Sequence, residues 1–516
     1  MDRRVAVTGP GAVTPAEEPG PAAGAENAPE DHGELYTAFR TVALATPHAP
    51  AVVDHDGTVS SYATLLDAVE TAAGRLTAEL DGDDVLGLAV GSPVAFVALY
   101  LAAAKLGVIT VLLDDRLSER ERERGCARFD LTRLAVDGPG PDGSGSFRLA
   151  PVPDADLHRA RARSGYEAGD FVVHCTSGST GEPKGIVMSQ AAIATRVRLW
   201  SGELELVPSD VVLCALPLSH CHGIDILTLP GLLNGATVVF AQGSRLTGRG
   251  LARRIEERGV TVMSGLPLMY RMLTSVRGVP ATALRTLRLA VAGSAPLGTS
   301  TQEAFLERYG LPLRQVYGLS EIAAICFDKE YVGKGSVGRP VAGVEHRLEP
   351  VAAGGAGTPD VHELYVRGPA LARGYYRDPA ATAEMFEDGW LRTHDLVRAD
   401  EDGWYVLGRR SGFINVAGNK VGPLEVEAAL RECPGVLESA VVGVPDAGTT
   451  ERVAALLVTG PGFDLGAVRR LLDERLLSHQ LPQRYEFAGA LPRTPLGKTD
   501  YAAVRQLMST GKRDAE

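Results

Sequence analysis

Thr176-Ser-Gly-Ser-Thr-Gly-Glu-Pro-Lys184-Gly185 is the stretch on which the reading of this chain turns. It is made mostly of glycine and small hydroxyl residues. It follows an apolar run, Phe171-Val-Val-His-Cys175, that predicts a buried strand. A small, hydroxyl-rich loop leaving a strand can turn backbone N–H groups and hydroxyls toward phosphate oxygens. Lys184 adds a point charge beside the same anion. The stretch therefore predicts a loop that grips a nucleoside triphosphate. It is not the ordinary P-loop, in which Lys directly follows the last Gly and a helix starts there. Here Glu182 and Pro183 separate Lys184 from Gly181, and Gly185 follows. The competing reading is a plain surface turn, the usual fate of Ser/Gly/Thr clusters.

At 516 residues the chain exceeds one ordinary core, so two or more domains are expected. A hydrophobic content of 45% and a charged content of 22% belong to a soluble globular protein. The net charge of −12 argues against a nucleic-acid partner, which needs a basic surface. Cys126, Cys175, Cys214, Cys221, Cys326 and Cys433 lack C-x-x-C spacing. Buried free thiols, a reducing cytoplasm and no structural zinc are therefore expected. No apolar run approaches the about 18 residues of a transmembrane helix, so no membrane partner is expected. Met1-Asp-Arg-Arg4 has no apolar core before Gly9 and does not read as a secretory signal. Residues 1–33, rich in Ala, Pro, Gly and Glu, predict a disordered tail.

Strand-like and helix-like segments alternate along the chain. Ser92-Pro93 is an N-cap with Pro at the first helical position, and it opens the apolar helix Val94–Leu106. Val108–Leu113, Val211–Leu218, Ala236–Phe240, Val260–Met263 and Leu287–Val291 are β-type runs, and Leu251–Arg258 is amphipathic. Such alternation predicts an α/β fold with layered, mostly parallel sheets. After about residue 407 the pattern restarts on a smaller scale: helix Leu424–Glu432, strands Ala440–Val444 and Val453–Val458, helix Asp464–Leu477. The expected organisation is a tail at 1–33, a large domain at 34–407, a hinge at 408–412 and a small mobile α+β domain at 413–510.

Further motifs extend the pattern. They are Gln315-Val-Tyr-Gly-Leu-Ser-Glu321, Trp390-Leu-Arg-Thr-His-Asp395, Gly408-Arg409, Gly418-Asn-Lys-Val-Gly-Pro-Leu-Glu-Val-Glu427 and Pro492-Arg-Thr-Pro-Leu-Gly-Lys498. With the 176–185 loop they resemble, in order and spacing, the signatures of the adenylate-forming superfamily: acyl-CoA ligases, peptide-synthetase adenylation domains and luciferases. The resemblance spans roughly residues 34–505. It implies ATP, Mg²⁺ and coenzyme A as cofactors, with a carboxylic acid activated as an acyl-adenylate and then passed to a thiol. That chemistry gathers anions, so positioning and charge stabilisation carry it.

By this resemblance, Thr176, Ser177, Gly178, Ser179, Thr180, Gly181 and Lys184 hold phosphates, and Glu321 with Thr180 holds Mg²⁺. Tyr317 stacks on adenine beside Ser294, Ala295 and Pro296, with Gly318 and Ser320 in the same nucleotide site. Asp395 takes the ribose hydroxyls, with Arg409 nearby. Lys498 bridges carboxylate and α-phosphate, while Gly418, Asn419 and Lys420 face the thiol step after rotation about Ser411. Lys498, Glu321, Thr180 and Lys184 are the expected catalytic group. Plainer readings exist: Asp395 as a turn cap, Glu321 as a helix N-terminal charge, Lys498 as a solvated loop lysine.

His220, His222, Gly223, Gly293 and Gln315 are the candidate acid pocket. Leu216-Pro-Leu-Ser-His220-Cys-His222-Gly223 resembles the P-L-x-H-x-x-G element of acyl-CoA ligases. His222 stands where amino-acid-activating domains carry an Asp for the ammonium, which argues against an α-amino acid. Dicarboxylate ligases of this type add an Arg before Y-G, where this chain has Gln315-Val316. An apolar or cyclic monocarboxylic acid is therefore expected. Asp225 reads as a first-turn helix charge, and both histidines could instead pack the core. Ser411, Gln190 and His394 depart from the family pattern and could weaken one half-reaction. The rival readings are a stand-alone enzyme loading a carrier protein, an enzyme kept for one half-reaction, and a non-catalytic binding relative. High Ala, Gly and Arg usage fits bacterial natural-product biosynthesis.

Overall fold

The structure is a computed structural model, and it describes residues 33–139, 146–177, 183–241, 246–351, 361–409, 414–416, 419–446, 450–494 and 498–510. The expected tail, Gly33 apart, lies outside the described residues, as does the expected hinge at Ser411. The α/β class holds, with large sheets and helices first and a smaller domain after them.

Helix Pro93–Leu106 explains the centre of the large domain. The Ser92 side chain accepts from the Ala95 N–H, Pro93 sits at the start, and Gly107 ends the helix at φ 68°. It is apolar on every face, so it must be buried all round. Phe96, Val97, Leu99, Tyr100 and Leu101 are almost wholly buried. Helices Glu34–Ala45, Tyr62–Glu79 and Gln190–Leu204 join the same hydrophobic cluster, to which two sheets contribute.

In the first of these, six strands run parallel in the order 313–319, 289–292, 262–265, 211–214, 237–240 and 50–53, with antiparallel strands at both edges. The second is parallel at its centre, through 170–177, 109–112, 85–89 and 133–137. The expected strands were placed correctly within a few residues. Val211–Leu218 is an exception, because only Val211–Cys214 is strand. Leu216–Ser219 turns away to deliver His220, because Pro217 has no N–H for a ladder.

Two features depart from the alternation reading. Strands 345–350, 362–367, 386–387, 390–399 and 404–409 form an antiparallel sheet, with 362–367 and 390–399 at its centre. The C-terminal sheet is covered on both faces. Along 436–446 and 450–459, Val441, Val453, Ala455 and Leu457 join one cluster with helices Pro423–Arg431 and Leu465–Asp473. The alternate residues Ala440, Val442, Ala454 and Leu456 join another with Val504 and Met508 of helix Tyr501–Thr510. This is the period-two division that a strand imposes.

Candidate active site

The two ends of the 176–185 stretch lie on paired antiparallel strands. Strand Asp170–Ser177 returns as Pro183–Ser189, with Thr176 opposite Lys184. The expected loop after a strand becomes a hairpin because Gly185 lets the return strand lie flat. A Cβ there would stand 2.5 Å from Phe129 Cε1 and 2.7 Å from Val173 Cγ1. Gly178, Ser179, Thr180 and Gly181 lie outside the described residues, as does the Ser177 side chain. Lys184 Nζ sits 5.2 Å from the centroid of the Tyr375 ring. Tyr375 in turn donates to Glu321 Oε1 at 2.6 Å. Tyr375 thus links two expected site residues, and the sequence reading missed it. Its only signal was the Gly374-Tyr-Tyr376 run.

Tyr317 and Glu321 are brought together by a tight turn between strands Leu313–Leu319 and Ala323–Phe327. Gly318 is required there, since a Cβ would lie 1.8 Å from the Ala323 carbonyl oxygen. Ala323 completes the turn at φ 68°. The Tyr317 hydroxyl donates to Asp395 Oδ2 at 2.5 Å, and Arg409 Nε donates to Asp395 Oδ1 at 3.2 Å. Burial pushes the Asp395 carboxyl up, against the pull of Arg409 and the Tyr317 bond. Burial and the Asp395 charge push Tyr317 well above the usual phenol range, which keeps its proton in place to donate.

The acid-pocket residues converge as well. His222 Nδ1 lies 2.8 Å from Ser294 Oγ, and Nε2 lies 2.8 Å from Ser264 Oγ. Desolvation, with a further push from the Lys498 ammonium, brings His222 down to about 3. His220 comes down to about 4, again first by desolvation. Both rings are neutral at ordinary pH, and His220 Nε2 is a buried atom with no hydrogen-bond partner among the described residues. The chain runs close at two glycines: a Cβ on Gly223 would meet the Pro217 carbonyl at 2.2 Å, and one on Gly293 would meet Val316 Cγ1 at 2.6 Å. Ser294, exposed beside Ala295 and Pro296, is held at φ 62°, a strained setting for a non-glycine residue. Gln315 is buried, with Oε1 unpartnered among the described residues.

Lys498 is exposed to solvent. Desolvation and the Arg409 guanidinium lower its pKa. Its charge is felt by His220 and His222, so the far C-terminus reaches the pocket of the large domain. Gly418 and the side chains of Asn419 and Lys420 lie outside the described residues. The strand Asn419–Val421 pairs with Ile414–Val416.

Two departures from the family pattern have local explanations. Gln190 is buried, and its Oε1 accepts the N–H groups of Gly33 and Leu35 at 3.2 and 3.1 Å. Its Nε2 donates to the Ala104 carbonyl at 3.1 Å. It caps the start of helix Glu34–Ala45 from a distance. His394 sits at φ 57° in a bulge, where the pairing jumps from Glu363–Leu396 to Tyr365–Arg392. Its Nδ1 lies 3.3 Å from Glu363 and its Nε2 4.0 Å from Glu384. Asp225 does begin a helical turn, but its carboxylate is fully buried between Arg196 at 2.8 Å and His174 at 3.1 Å. It is therefore more than a first-turn charge.

Residues 39–376 match the family described as AMP-binding enzyme, and residues 425–498 match the AMP-binding enzyme C-terminal domain. A feruloyl-CoA synthase of Amycolatopsis sp is 31% identical over 483 residues, 89% of this chain and 96% of that protein. An indoleacetate–CoA ligase of Aromatoleum aromaticum is 32% identical over 492 residues, 87% of this chain and 93% of that protein. The ATP-bound crystal structure of MatB from Rhodopseudomonas palustris is 26% identical and aligns with a TM-score of 0.78, over 92% of this chain and 99% of that one. With Tyr317, Glu321, Asp395 and Arg409 gathered on one side and Lys498 reaching in from the second domain, the chain belongs to the AMP-binding enzyme family and is an AMP-forming acid–thiol ligase.

Proposed function

We propose that this ligase activates a monocarboxylic acid with an apolar or cyclic body and passes the acyl group to coenzyme A. The observation that carries the adenylation step is the position of Lys498, whose charge bears on His222 and faces Arg409. Lys498 bridges the substrate carboxylate and the α-phosphate, neutralising both as the carboxylate oxygen forms its bond to phosphorus and pyrophosphate leaves. Asp395 and Arg409 hold the ribose, Tyr317 the adenine, and Lys184 with residues 176–181 the outer phosphates. In the second step the thiol sulfur attacks the acyl carbon, gives up its proton, and AMP departs from that carbon.

Glu321 offers a hard oxygen, braced by Tyr375, of the type that binds Mg²⁺ together with substrate phosphates. The ion, held by Glu321 and Thr180, would neutralise phosphate charge. Among the described residues no cluster of three or more His, Cys, Asp or Glu could hold a metal by protein ligands alone, which suits an ion that arrives with its nucleotide.

Support for the acid class comes from the pocket's composition. His222 is neutral, and Gln315 is an amide rather than a cation. Two relatives named for aromatic acids agree with this reading. The small domain turns about 408–412 between the steps, so that residues 418–420 replace Lys498 at the acyl group.

The test is to incubate the protein with ATP, Mg²⁺, coenzyme A and a panel of aromatic, alicyclic and aliphatic acids, and to read pyrophosphate, AMP and thioester. Acid-dependent AMP with an acyl-CoA product is the expected result. Adenylate without thioester would replace coenzyme A by a carrier protein. Lys498→Ala should abolish adenylation and spare thioester formation from a supplied acyl-adenylate; unchanged adenylation would refute its role.

A further inference from the structure

Behind the pocket lies a buried polar cluster that the steps above do not use. His174, Arg196 and Asp225 are almost wholly buried. Each comes from a different part of the site. His174 lies in the strand that enters the phosphate hairpin, two residues before Thr176. Arg196 lies in helix Gln190–Leu204. Asp225 lies in the π-helical turn Ile224–Thr228, directly after the His222-Gly223 segment. Such turns occur often at functional sites.

The contacts run from this cluster into the site. Arg196 NH1 donates to Asp225 Oδ2 at 2.8 Å and reaches the Ser320 carbonyl at 3.4 Å. Arg196 NH2 donates to the Ala370 carbonyl at 3.1 Å. Ser320 is the neighbour of Glu321. Ala370 leads into the segment that bears Tyr375, and the Ala372 N–H donates to the Glu321 carbonyl at 2.7 Å. One guanidinium thus ties the Glu321 turn to the Tyr375 segment, and one carboxylate ties that guanidinium to the His222 segment and the phosphate-loop strand. Arg196 and His174, both within ion-pair distance, outweigh the burial that would otherwise raise the Asp225 pKa and hold it below the usual carboxylate range.

Stability alone does not account for such a group. A buried ion pair loses in desolvation roughly what it gains in attraction, and apolar replacements of similar volume are often no less stable. A rigid joint for the reacting groups is a different matter, because misplacement by about 1 Å can cost on the order of 100-fold in rate.

We propose that Arg196, clamped by Asp225 and His174, is a positioning residue for the adenylation half-reaction, fixing Glu321 and Tyr375 relative to the phosphate hairpin and His222. The inference rests on the adenylation reading above. It predicts that loss of the clamp lowers kcat for adenylation while the KM values for acid and ATP move little.

The experiment compares wild type with the apolar triple variant His174→Leu/Arg196→Met/Asp225→Leu and with Arg196→Lys. The triple variant removes the buried Arg196–Asp225 ion pair and the histidine beside it together. Arg196→Lys keeps the charge opposite Asp225 but has no planar fork to span two carbonyls. Each protein is measured for thermal unfolding, for acid-dependent ATP–pyrophosphate exchange and for thioester formation from a supplied acyl-adenylate. The expected result is a fall of about 10- to 100-fold in exchange kcat in both variants, KM values within about threefold, and a nearly unchanged second step. Full exchange kcat in either folded variant would overturn the proposal, as would a loss confined to KM. If the triple variant fails to fold, Arg196→Lys decides alone. Absence of exchange in the wild type with every acid, alongside thioester formation from supplied adenylates, would instead defeat the adenylation reading itself.

Discussion

Glu438 offers the sharpest test of how the two domains cooperate. It lies on strand Val436–Asp446 of the small domain. It accepts from Arg271 NH2 at 3.1 Å, on helix Pro267–Ser275 of the large domain, and from Arg493, which lies five residues before Lys498. Only the first bond crosses between the domains. At that distance two unit charges attract by about 5 kcal/mol at an effective dielectric of about 20. Much of this is offset, since burial already lowers the Arg271 pKa and both partners are only partly shielded, with side-chain exposures of 27% and 21%. Partly exposed pairs contribute about 1 kcal/mol, and hydrogen bonds to charged groups somewhat more. About 1.4 kcal/mol is a fair working figure, or roughly tenfold in an equilibrium. Glu438→Gln should therefore shift the domains about tenfold away from the arrangement in which Lys498 faces His222. Exchange of pyrophosphate should fall by up to about that factor, while thioester formation from supplied adenylate holds or rises. Arg271→Ala should do the same, and the double variant should add little to either. Raised salt should shrink the difference. Equal losses in both half-reactions, or additive single effects, would refute the reasoning.

Other expectations are briefer. Gly318→Ala puts a methyl group onto the Ala323 carbonyl, so the turn must open; a loss of at least about 2 kcal/mol in urea unfolding, with adenylation abolished, is expected, and a variant of normal stability would contradict the stated geometry. Gln190→Leu removes the partner of two buried N–H groups and one carbonyl. It should cost about 2–3 kcal/mol while leaving exchange kcat at 25 °C intact, whereas a phosphate-site role would lower kcat. His220 and His222 hold native values of about 4 and about 3, below the usual about 6.5. Between these limits the unfolded chain binds more protons, so stability should rise with pH up to about 6.5 and then level. Asp395 and Glu427, both raised by burial, oppose this trend at the acid end, so the difference between wild type and His220→Asn across pH 4–7 is the quantity to measure. An identical pH slope in the two proteins would show that His220 is not the source.

What was legible in the sequence was what is local. Gln315–Glu321, Trp390–Asp395 and Pro492–Lys498 are short strings whose likeness to the family lies in their own order, and a turn such as Gly318 is dictated by atoms a few residues away. Strand and helix periodicity is local in the same sense, so element identity was readable even where the ends slipped. Parallel and antiparallel pairing is not local. The strands at 362–367 and 390–399 were not among the β-type runs read from the sequence, and their antiparallel direction depends on connections that periodicity does not encode.

The residues misread alone share one property: each is polar and has partners distant in the chain. Gln190 read only as a departure from the family pattern until Gly33, Leu35 and Ala104 supplied its bonds. Asp225 looked like a helix-start charge, and His174 like part of an apolar strand. Neither string hints at the other, because a buried charge is explained only by whatever neutralises it. A polar group in an apolar stretch must find a partner in the fold, so His174 within Phe171–Cys175 already required a buried counterpart that the sequence could not name. In this chain the counterpart is Asp225, 3.1 Å from His174 and on the turn that follows His222-Gly223, so the exception to the apolar pattern marks the place where strand Asp170–Ser177 meets that segment.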